Sequence, residues 1–293
     1  MNSFSFHRFF KTLSWYVRVN MKTLLIWIVG AVSYVFVGEM LMLSFGAYSH
    51  PYPMIRDFAA IGGGTFMIVM LVMIASVTTG INKKNAREAF LMLPATNLEK
   101  YLALVTYTSV ICTLCFFAAM IAGDTLRMVC MWLKDAQDVC EGSYQWWSSA
   151  IPQLFDNLIP SFSPGPNTTY TTGLMVMHYL SCISVLAWIH SLFLLGGTLL
   201  RKNAFAFSSL LLILSVWLYL WTYRTIGMDT YHVTHQLAGG TVEHTILGAG
   251  YGLFMTVLFA SCLSLFNYWA SFRIFKGFQF ITNKYTNYDI LKR

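Results

Sequence analysis

Residues 18–45 read RVNMKTLLIWIVGAVSYVFVGEMLMLSF. The cations stop at Lys22, and from Leu24 to Phe45 the only charge is Glu39. A helix needs about 20 mostly apolar residues to cross a hydrocarbon core of roughly 30 Å, and this run meets that requirement. Five further stretches pass the same test, bounded approximately by Phe58–Ile81, Tyr101–Ala122, Gly173–Leu195, Phe205–Trp221 and Ile246–Ser271. A transmembrane barrel would show short alternating stretches in place of continuous runs. With 57% hydrophobic and 11% charged residues, the chain of 293 residues also lacks the polar surface that a water-soluble body needs. The expected fold class is all-α, a polytopic membrane protein with six transmembrane helices.

The charges give this bundle an orientation. Of the 19 Lys and Arg residues, 15 fall in four segments that alternate with the apolar runs: 1–22, 82–100, 200–204 and 272–293. The other polar segments hold Arg56, Arg127, Lys134 and Arg224 against eight acidic residues. By the positive-inside rule the four basic segments face the cytoplasm, so both termini are expected there. The formal charge of +7 therefore reports topology and contact with anionic lipid headgroups; it does not point to nucleic acid. The N-terminal basic stretch leads into a full-length span with no convincing cleavage site, so the first span is expected to act as its own insertion signal.

Two links are expected to be ordered. In residues 1–22, Phe6, Phe9, Phe10, Leu13 and Val17 fall on one helical face and Arg8, Lys11 and Arg18 on the other, the pattern of a helix lying in the membrane interface. Residues 82–100 read NKKNAREAFLMLPATNLEK. Helix propensity favours a short amphipathic helix around Arg87–Leu93, and Pro94 should end or bend it. Thr96 followed by Glu99 then forms a capping box that opens the third span. That span is expected to run on past Asp124 and Arg127, which are three residues apart and able to pair. The extracytoplasmic loop 134–172 carries Trp146, Trp147, Phe155 and Phe162, consistent with an ordered cap at the outer interface. The whole chain is read as a single domain, 1–293.

Candidate chemistry is sparse. Cys112 and Cys115 have a C-x-x-C spacing but sit in mid-span, where they are read as packing residues. Cys130 and Cys140 share the outer region, where a disulfide between them would persist in an oxidising compartment. His232, His235, Glu243 and His244 are the best metal-like grouping, yet no H-E-x-x-H organises them, and no metal or catalytic site is expected. Nor does the chain contain a G-x-x-x-x-G-K-[ST] phosphate loop. Glu39 is the acidic residue placed within a span, where an unpaired charge costs at least a few kcal/mol. It is expected either to lie near the outer interface, protonated or paired with a neighbouring hydroxyl or backbone group, or to mark a substrate or proton pathway.

The stretch Leu93-Pro94-Ala95-Thr96 followed by Glu99-Lys100-Tyr101-Leu102-Ala103 resembles the leucine-proline-small-hydroxyl motif and trailing lysine of type-2 ABC export permeases, where it lies between spans two and three as here. The basic turn Arg201-Lys202 and the ending Ala270–Lys276 with Gln279 are also similar to small bacterial members. The resemblance implies a six-span permease domain with a coupling helix in 82–100, in which Arg87, Glu88, Phe90, Leu91, Leu93, Pro94, Thr96, Glu99 and Lys100 meet a separate ATPase subunit. It implies no enzyme activity and no cofactor on this chain, since ATP and Mg would sit on that partner. It further implies pairing with a second identical or related permease subunit, a bacterial cytoplasmic (inner) membrane location, and export. Apolar walls favour amphipathic or hydrophobic cargo such as lipids, peptides or antibiotics. A membrane enzyme using the outer His and Glu residues, or a scaffold or sensor, is the alternative.

Overall fold

The computed structural model describes residues 4–45, 51–81, 84–135, 149–153, 172–200, 203–225, 233–237, 240–244 and 248–277. These residues form an all-α polytopic membrane protein with six helices long and apolar enough to span a bilayer. The first span is α1 (Phe6–Phe45) and the second is α2 (Pro51–Ile81). A short helix α3 (Lys84–Leu91) precedes the third span, which is built from α4 (Asn97–Thr106), one π-helical turn (Tyr107–Ile111) and α5 (Cys112–Asp135). The remaining spans are α6 (Thr172–Leu199), α7 (Ala204–Thr225) and α8 (Gly248–Lys276). Between α7 and α8, β1 (Val233–Leu237) and β2 (Gly240–His244) form an antiparallel hairpin, with Val233 opposite His244 and Leu237 opposite Gly240. Read from sequence, this stretch is simply an outer loop.

Large apolar side chains stay exposed along the spans, among them Ile26, Val29, Leu210, Ile213, Trp217 and Leu265. On a soluble surface such contiguous exposure is an aggregation hazard; against lipid tails it carries no penalty.

The N-terminal segment differs from expectation. It does not form a helix separate from the first span, because α1 continues unbroken through Lys22 and Leu24. No Gly or Pro interrupts residues 4–29, so nothing in the sequence stops the helix. Its 40 residues are roughly 60 Å long, about twice the hydrocarbon thickness.

The chain divides into two compact units, one of Met1–Met73 with Leu93–Ser161 and one of Ile74–Met92 with Phe162–Arg293. In the first unit α1 runs parallel to α4 and α5. Tyr16 stacks on Tyr107 with ring centroids 6.1 Å apart, Gly123 meets Val35, and Arg127 reaches Glu39. The approach at Gly123 is close: a Cβ there would lie 2.8 Å from that of Val35 and 3.0 Å from the Val32 carbonyl oxygen. Small residues at such crossings let membrane helices touch backbone to backbone. α2 joins this unit through Phe66, which packs on Phe116 and Phe117, and through a 3.1 Å bond between Tyr34 and Thr65.

In the second unit α6 and α8 are also parallel. Polar contacts follow one another along the pair: Ser184 with Ser261, His190 with Tyr268, Ser191 with Asn267 and Thr198 with Ser271. Spans one and three run the same way, as do spans four and six, as they must if each link reverses the chain across the membrane. His190 is thereby satisfied within the bundle at 2.8 Å from the Tyr268 hydroxyl. α6 turns into α7 through Asn203 at φ 57°, a left-handed conformation that Asn tolerates well.

Candidate functional site

The stretch after α3 is locally determined. Pro94 disfavours helical geometry in the residue before it, and α3 has ended at Leu91. The Ala95 N–H donates to the Leu93 carbonyl at 2.8 Å, and Thr96 takes the extended N-cap conformation. Both halves of the expected capping box form: the Glu99 N–H donates to Thr96 Oγ1 at 3.2 Å, and the Thr96 N–H donates to Glu99 Oε2 at 2.7 Å.

The same carboxylate also binds the far end of the sequence. Arg8 donates to Glu99 from Nε at 3.1 Å and from its terminal nitrogen at 2.9 Å, and the Ser5 N–H adds a 2.7 Å bond. Glu99 is fully buried beneath these donors. One residue therefore caps α4 and ties it to the start of α1. The Tyr16 hydroxyl donates to the Lys100 carbonyl at 3.4 Å, which adds a second tie. In sequence the Arg8–Glu99 pair is invisible, because the two residues lie 91 positions apart.

The residues expected at a partner contact differ in burial. Glu99 and Lys100 are buried inside the first unit, where they hold α4 to α1. Phe90 is 2% exposed and packs edge-on against Phe275 at 5.3 Å, which anchors α3 to α8. The apolar face of so short an amphipathic helix goes to its own chain first. Glu88, Leu91, Leu93 and Thr96 are half-buried, whereas Ala89, Met92 and Pro94 are exposed, Met92 at 82%. The Arg87 side chain lies outside the described residues.

A second polar cluster sits at the other end of the α1–α5 pair. Arg127 donates to Glu39 from Nε at 2.8 Å and to Asp124 from its terminal nitrogen at 2.7 Å, and it is fully buried. Asp124 in turn accepts from Ser149 Oγ at 2.6 Å and from the Ala150 N–H at 3.2 Å. The Phe58 ring lies 5.9 Å from the guanidinium. Glu39 is thus paired, with a guanidinium and not with the hydroxyl or backbone group expected, and the anticipated Asp124–Arg127 contact forms. The Arg127 link from span to span is the part that sequence spacing could not supply. Beside the cluster is a cavity of about 320 Å³ with mainly apolar walls, including Tyr34, Met42, Phe58 and Met120, and Glu39 on its lining.

The two ionic joints are far apart. Arg8 and Glu39 are 31 positions apart on α1, roughly 46 Å at helical rise, close to the full thickness of a bilayer with its headgroup layers.

Cys130 lies on α5 with no disulfide partner among the described residues, while Cys140 lies outside them, as do His232 and most of the loop 134–172. Cys112 is buried within its span, as a packing residue would be. Among the described residues no three His, Cys, Asp or Glu side chains converge on a metal position. Neither a family model, nor a curated protein, nor a solved structure matches the chain.

Proposed function

We propose that this chain is the membrane-spanning permease subunit of an ATP-driven ABC exporter of the type-2 class, working with a separate ATPase subunit and a second permease copy or relative. The observation that carries the reading is the link between spans two and three: a short helix, a proline turn with exposed Met92 and Pro94, and a span that restarts on a capping box. Such a segment moves as a unit when gripped.

Its connections give that movement somewhere to go. The chain passes from the second unit to the first between Met92 and Leu93, so force applied there acts on both. Phe90 and Phe275 hold α3 to α8, while Glu99 transfers displacement of α4 to α1 through Arg8. ATP and Mg belong to the partner. The distribution of cations supports a bacterial inner-membrane orientation with both termini and this link in the cytoplasm. The apolar cavity beside Glu39 fits an amphipathic or hydrophobic cargo better than a small ion. Affinity purification of the tagged chain from its native membrane in mild detergent tests the reading: a stoichiometric ATP-hydrolysing partner is expected, and a chain that elutes with no nucleotide-binding partner rejects it.

A further inference from the structure

Lys11, Trp15 and Arg18 fall at positions i, i+4 and i+7 of α1 and so share one face. With His7 and Arg8 they line a cleft of about 640 Å³ whose opposite wall is the turn Leu93-Pro94-Ala95. Arg8 is engaged with Glu99 at 2.9 Å. Lys11 and Arg18 are exposed and make no ion pair among the described residues, and no acidic side chain lines the cleft. Two full positive charges, roughly 10 Å apart along the helix, therefore face an open space.

We propose that this cleft binds the phosphate headgroup of an anionic phospholipid. Its position favours a lipid over a dissolved ion. α1 passes without a break from Arg18 into the apolar run at Leu24, six residues or roughly 9 Å further along, which brings the face to the headgroup layer. Trp15 within the cleft is the residue type that prefers the boundary between headgroups and hydrocarbon. An open wall with two long cations suits a headgroup held from above by its own membrane; a free phosphate would need donors closing around it. A lipid seated there bridges α1 to the proline turn. This site does not depend on the transport reading and can fail without it.

The test is native mass spectrometry of the full-length protein in detergent, titrated with phosphatidylglycerol, phosphatidylcholine or inorganic phosphate. Each cation near an anionic lipid surface is worth roughly a five-fold change in affinity, so Lys11→Gln with Arg18→Gln is expected to weaken phosphatidylglycerol binding roughly 30-fold. The charge-preserving pair Lys11→Arg and Arg18→Lys, and Lys276→Gln on the exposed end of α8, should leave it unchanged, with phosphatidylcholine weak throughout. A double variant that keeps phosphatidylglycerol within three-fold of the original overturns the proposal. So does equal binding of phosphatidylcholine, or displacement of phosphatidylglycerol by inorganic phosphate at matched concentration, which would assign the cleft to a soluble anion.

Discussion

Arg127→Gln should be among the most damaging single substitutions in the protein. The guanidinium faces Glu39 at 2.8 Å and Asp124 at 2.7 Å, and it is sealed from solvent. Removing it leaves two buried carboxylates without their cation, and breaking a buried pair in this way costs about 3–5 kcal/mol. For a chain of this size each kcal/mol lowers the melting temperature by about 2–4 °C, so a fall on the order of 10 °C is expected. Thermal unfolding of the detergent-solubilised protein, followed by intrinsic fluorescence, reads it directly. Two further variants separate charge from packing. Arg127→Lys keeps the charge but loses the fork that reaches both carboxylates, and should fall in between. Adding Glu39→Gln to Arg127→Gln should recover part of the loss, because one of the stranded charges is gone. If Arg127→Gln melts within 2 °C of the original, or if the two substitutions simply add, the cluster does not hold α1 to α5.

Thr96→Ala should cost about 1 kcal/mol as a lost N-cap, and Glu99→Gln should cost more, since it also weakens the Arg8 and Ser5 contacts; both are read by the same thermal assay. Gly123→Ala should destabilise by about 1–3 kcal/mol, because the added methyl meets the Val35 Cβ at 2.8 Å and its Cγ1 at 3.0 Å; Val35→Ala in the same chain removes only the second contact and should leave most of the loss in place. Single cysteines at positions 156 and 229 should be labelled by an impermeant reagent from outside, and those at 84 and 284 only after the membrane is opened. The reverse pattern would invert the assigned topology.

Much of the fold is legible in sequence because lipid imposes simple rules: continuous apolar runs become spans, and Thr96 with Glu99 becomes a cap through bonds three residues apart. Local signals also place α3 and its end before Pro94. What sequence cannot supply is pairing at a distance. Glu99 looks like a capping residue and a partner contact, yet Arg8 covers it. Phe90 looks like a docking residue, yet Phe275 takes that face. Glu39 is a similar case: the cost of an unpaired intramembrane charge points to protonation or to a neighbouring hydroxyl or backbone group, and only the packing of α1 on α5 brings Arg127 to it. The unbroken passage of α1 through Lys22 follows from helix propensity, which outweighs the change from a polar to an apolar environment along the chain. The hairpin at 233–244 escapes because its residues carry neither a strong strand alternation nor an Asn-Gly turn.

The transport reading turns on what touches the proline turn. A photo-crosslinking residue placed at Met92, which is 82% exposed, should capture the ATPase subunit in the purified complex, while the same residue at buried Phe90 should not. An intact complex in which position 92 yields no crosslink to the ATPase would contradict the assignment of this link as the element that receives the force of ATP hydrolysis.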